Sequence, residues 1–154
     1  MAAENIDEAK AYFLRGVQAA EEIQYQRLLQ ISYDNLGTVA LLEKEIAQAE
    51  LFFIRSLRIS QESGQTREML ASLRDLAIVH MAHGNLESAL KLLAVVLKHP
   101  ASDQNSLNRP ERLRDEVEKL RIQIEGELDA SSYRSAWEAG QNQRLSDLVT
   151  RILS

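Results

Sequence analysis

His80 and His83 stand three residues apart, a spacing that brings two imidazoles to one side of a helix. Such a pair can begin a metal site, but a working site needs three or four converging ligands. The third histidine, His99, lies beyond another predicted helix, and the chain has no cysteine. No ligand set assembles, so no metal is expected. Glu21-Glu22, Glu43 with Glu45, and Asp115-Glu116 supply paired carboxylates. General acid–base work needs such groups in a dry cleft, and solvated helix faces account for these pairs better. No serine is framed as a nucleophile, and no Gly-Lys-Ser/Thr phosphate loop occurs. Trp137 reads as a packing anchor rather than a stacking platform for a ligand. No catalytic residue and no cofactor is assigned, and the chain is not expected to be an enzyme.

What must be positioned is therefore a surface. Ala9, Ala49 and Ala89 recur at a 40-residue spacing, each followed four residues later by Phe13, Phe53 or Leu93. Leu36 matches Leu76, Val39 matches Val79, Ser32 matches Ser72 and Arg27 matches Arg67. Arg15 matches Arg55, and Val17 and Leu57 match Leu97. A fixed period in this range is the mark of stacked supersecondary units that present an extended surface to a partner.

The composition is helical. Of the 154 residues 45% are hydrophobic and only 5% aromatic, with Leu, Ala and Ile carrying the apolar load. Two prolines leave long stretches free for helices. No run approaches the 18 apolar residues of a membrane span. Met1-Ala2-Ala3-Glu4 lacks the basic and apolar regions of a secretory signal, and the expected location is the cytoplasm. A net charge of −5 argues against a nucleic-acid footprint.

Apolar spacing predicts helices over Arg27–Leu42 and Glu45–Gln61, the latter stopped by Gly64. Thr66 is the expected N-cap of Arg67–His83. Gly84-Asn85 turns the chain and Asn85 caps Leu86–Lys98, which ends at His99-Pro100. Projected back one period, Asn5–Gln24 is the second helix of a pair whose first helix is missing, so the chain reads as a piece of a longer protein. Ala9, Phe13, Val17 and Ala20 then form an uncovered apolar stripe, with Phe13 and Val17 the candidates for self-association into a homodimer. Ala101–Asn108 reads as a loop, and Asn108-Arg109-Pro110-Glu111 as the start of a long helix with the stripe Leu113, Val117, Leu120, Ile124 and Leu128. Asp115 and Lys119 are expected to pair along it. Short helices over Ser131–Ala139 and Ser146–Leu153 complete a non-repeating cap. The expected organisation is a leading half-repeat over residues 5–24, repeats over 27–61 and 67–98 within 1–100, and the cap over 101–154.

Tyr33-x2-Leu36-Gly37-x2-Ala40 followed by Ala49-x3-Phe53 resembles the tetratricopeptide repeat. Leu73-x2-Leu76-Ala77-x2-His80, Gly84, Ala89-x3-Leu93 and Pro100 follow the same pattern, with His80 at the aromatic packing position. Gly37 and Ala77, like Ala49 and Ala89, are small where paired helices touch. Leu73–Pro100 and Tyr133–Leu153, with its Ala136-Trp137-Glu138-Ala139-Gly140, are similar to the C-terminal region of bacterial MalT-, AfsR- and LuxR-type multidomain signalling ATPases and transcriptional regulators. The resemblance implies an all-α, right-handed helical superhelix with a C-terminal helical cap. It also implies an interaction or sensor module that binds a protein or peptide, or another domain of its parent chain. The alternative it leaves open is an inducer-binding sensor using the concave face. Counting from the Leu-Gly pair, that face would present Ile31, Asp34, Thr38 and Leu41, then Ala71, Arg74, Ile78 and Met81. Asn35 resembles the asparagine of the clamp that grips carboxylate tails, but Asp75 stands where the clamp pattern needs a basic residue.

Overall fold

The structure is a computed structural model, and it describes residues 3–104 and 111–154. Among them are eight α-helices, one 3-10 turn and no strand. They are α1 (Ala3–Glu22), α2 (Gln26–Leu42), α3 (Ile46–Glu62), α4 (Thr66–Ala82), α5 (Leu86–Lys98), α6 (Leu113–Glu127), α7 (Ala130–Gln141) and α8 (Leu145–Leu153). No described helix is long and apolar enough to cross a membrane. The chain forms two compact units, Met1–Gln65 and Thr66–Ser154. Residues 101–154, read from the sequence as a separate cap, belong to the second unit together with α4 and α5.

One turn serves all four junctions between α1 and α5. The residue three past the end of each helix donates its N–H to the carbonyl five residues back: Tyr25 to Ala20, Glu45 to Ala40, Gln65 to Ser60 and Asn85 to His80, at 2.8–2.9 Å. The residue before it donates to the carbonyl three residues back, nested inside the first bond: Gln24 to Glu21, Lys44 to Leu41, Gly64 to Gln61 and Gly84 to Met81. This is a Schellman closure, which requires a left-handed residue just past the helix. Gln24, Lys44, Gly64 and Gly84 hold that place with φ of 53°, 61°, 66° and 78°. The 40-residue sequence period is thus two equal steps of 20, each a helix and a turn.

The new helices start directly from these turns. Tyr25, Glu45 and Asn85 accept the first intrahelical bond through their carbonyls and make no side-chain cap. The expected Asn85 side-chain cap is therefore not formed. Thr66 is the first residue of α4 rather than the cap before it. Lys44 is a residue with a Cβ in a conformation that glycine adopts without penalty. Lys44→Gly is expected to stabilise the chain by about 0.5–1 kcal/mol, and Gly64→Ala to destabilise it by a similar amount. A Cβ at Gly64 meets nothing within 4 Å, so the second change isolates the backbone effect. Chemical denaturation of both variants measures the pair, and equal midpoints for all three proteins would refute the assignment of strain.

In the first unit α2 packs against both α1 and α3. Gly16 faces Ser32 so closely that a Cβ there would lie 2.8 Å from the Ser32 hydroxyl oxygen. Phe53 sits over Gly37, where a Cβ would come within 2.4 Å of its ring. Ala49 and Leu57 are fully buried beside it. Tyr33 stacks on Phe52 with ring centroids 6.2 Å apart, and the Arg55 guanidinium stands 5.5 Å over the Tyr33 ring. Gln30, itself buried, donates to Ser56 Oγ at 3.1 Å and to Asp34 at 2.6 Å.

In the second unit α5 is the shared neighbour of α4, α6 and α7. It ends where expected, because His99 turns extended before Pro100. Pro100–Asp103 winds into a 3-10 turn, capped by His99 Nδ1, which accepts from the Ala101 amide at 3.1 Å. The remainder of the expected loop, 105–108, and the helix start at Asn108–Pro110 lie outside the described residues; α6 begins at Leu113. Leu113, Val117 and Ile124 are fully buried, with Leu120 and Leu128 half-buried. Lys119 pairs with Glu111 at 2.7 Å rather than with Asp115. Gly140 of α7 touches α5, since a Cβ would lie 2.6 Å from both the Lys91 carbonyl and the Ala94 side chain. That approach explains the glycine at position 140. Lys98 reaches from α5 to donate to the carbonyls of Gln141, at 2.7 Å, and Gln143, satisfying the open end of α7. In α8, Leu148 and Val149 are buried and Ile152 and Leu153 half-buried.

Asp129 opens α7 as an N-cap, accepting from the Ser132 amide and hydroxyl at 2.8 Å each. These bonds favour the charged carboxylate and hold its pKa below the ordinary aspartate value. A depressed folded-state pKa contributes stability that is fully present above the unfolded value, roughly 3.9, and is lost as pH falls through the folded value. Asp129→Ala is therefore expected to lower the melting temperature at neutral pH, and the gap to the parent to narrow below about pH 4. A gap that stays constant down to pH 2 would refute the charged cap.

Candidate functional site

The positions singled out from the sequence lie on α2, in the first unit, and on α4, in the second. On α2 the structure leaves Ile31 and Thr38 exposed and Asp34, Asn35 and Leu41 half-buried. This face follows from the packing of α2. Gly37 and Tyr33 turn to α3 and Ser32 turns to α1, so positions 31, 34, 38 and 41 are left outward. Thr38 donates its hydroxyl to the Asp34 carbonyl at 3.0 Å, one turn earlier. Asp34 is engaged by Gln30. The resulting strip alternates apolar and polar groups.

The corresponding set on α4 is placed differently. Ala71 and Arg74 are buried, and Ile78 and Met81 are half-buried. Arg74 is only 5% exposed. Its guanidinium donates to Asp75 Oδ1 at 2.9 and 2.8 Å and to Glu116 of α6. Burial opposes the charge on Arg74, but the two carboxylates outweigh it and raise its pKa. Arg74 thus fastens α6 to α4, and its guanidinium is committed within the protein. No sequence signal announces this, because Glu116 lies 42 residues away and helical periodicity does not report on such a partner.

His80 is half-buried and His83 exposed. Among the described residues no group of three or more histidine, cysteine or acidic side chains is placed to hold a metal ion. Glu43 is paired with Lys10 at 2.9 Å, which raises the lysine pKa. Glu116 is engaged by Arg74. Trp137 stacks on Tyr133 at 6.2 Å, and the Tyr133 hydroxyl accepts from Arg121 at 2.8 Å, consistent with a packing role.

Phe13 and Val17 are half-buried and Ala20 is buried, on the side of α1 that meets α2. Among the described residues, the large apolar side chains left in solvent gather in the first unit: Tyr12, Leu14, Ile23, Tyr25, Ile31, Leu42 and Leu51, against Ile122 in the second. Ile23 and Tyr25 flank the left-handed residue of the first turn. The other three turns have the same backbone but carry Glu43 and Glu45, Ser63 and Gln65, and His83 and Asn85 at these places. The turn therefore does not dictate apolar residues there. Comparing the four turns by the 20-residue step was the sequence signal that would have marked Ile23 and Tyr25.

Comparison with models of protein families, with curated proteins and with solved structures returns no match.

Proposed function

We propose that this chain is a tetratricopeptide-type module, built as a right-handed superhelix, that holds a protein or peptide segment on the outward strip of α2. The observation that carries the reading is the 20-residue step itself. Four like turns join α1 to helices of 17, 17, 17 and 13 residues, and small residues stand where the paired helices touch. Repeat architectures of this kind act through extended surfaces rather than dry clefts. The strip of Ile31, Asp34, Thr38 and Leu41 mixes apolar and polar groups, which suits a peptide or helix laid across it. On α4, Ile78 and Met81 are half-buried, whereas Arg74 and Ala71 serve the core. By resemblance, the segment bound belongs to a switch domain of a bacterial signalling regulator.

Panning a random peptide library against the purified chain tests this. Enriched peptides are expected to lose at least tenfold in affinity on Thr38→Glu or Leu41→Glu, about 1.4 kcal/mol or more. No enrichment, or peptides indifferent to both variants, would overturn the reading. A thermal-shift screen in which a metabolite stabilises the chain, while no peptide binds, would assign the face to a small inducer instead.

A further inference from the structure

No further inference is drawn: the strongest candidate, the exposed side of α1 around Tyr12, is bordered by one carboxylate and one guanidinium, those of Glu8 and Arg15, and nothing in the structure shows what covers it.

Discussion

Phe53→Ala is expected to cost about 3–5 kcal/mol of folding free energy, the usual range for emptying a buried phenylalanine site. The ring is 1% exposed and is the largest fully buried side chain among the described residues. It occupies the space that a side chain at position 37 would need. Gly37→Ala alone should cost about 1–3 kcal/mol by overpacking, because the new Cβ would fall 2.4 Å from the ring. Combined with Phe53→Ala, the same alanine finds room, so the double variant should be more stable than the sum of the two losses predicts. Urea unfolding followed by far-ultraviolet circular dichroism yields all three values. Strict additivity would show that Gly37 is present for some reason other than the approach of Phe53.

Asp75→Ala is the other change expected to be severe, at about 3–5 kcal/mol, because it leaves the buried Arg74 charge with a single partner. The cost comes from stranding a desolvated cation rather than from losing a favourable pair. It follows that Arg74→Met together with Asp75→Leu should destabilise less than Asp75→Ala alone, since the pair is replaced by apolar groups of similar size. Glu116→Gln, which keeps a hydrogen-bond acceptor within reach of Arg74, should fall between the parent and Asp75→Ala. A melting temperature unmoved by Asp75→Ala would show that solvent reaches the Arg74 guanidinium and that the ion cluster is not a fastening of α6 to α4.

The elements were legible where local rules acted alone. Leu86–Lys98 was read to the residue, because glycine and asparagine open that segment and proline closes it. Gly64 and Gly84 announced two of the four turns; Gln24 and Lys44, adopting the same left-handed conformation, announced nothing. Gly140 was visible at the end of Ala136–Gly140, but its reason, contact with Lys91 and Ala94, is a tertiary one. The same limit explains the partner face. Helical counting placed Asp34, Thr38 and Leu41 outward on α2; Thr38 is exposed there, and Asp34 and Leu41 are half-buried. It placed Arg74 outward as well, because the ladder of α4 cannot reveal that α6 lies there with a carboxylate. Lys119 has carboxylates both inside and outside its helix, Asp115 and Glu111, and counting within the helix selected the wrong one. On α1 the apolar stripe was visible, yet the exposed aromatic is Tyr12.

Helix α5 has residues 92–97 buried without interruption, so it has no solvent side over more than a turn and a half. Its amide protons can reach water only when α4, α6 and α7 separate from it. In deuterium exchange they should form the slowest class of the second unit, opening with that unit's full unfolding free energy, whereas α8 should fray and exchange early. The backbone of α5 thereby becomes an internal clock for the unit: loosening α7 at Gly140 should quicken the exchange at Ala94 and its neighbours before any helix is lost.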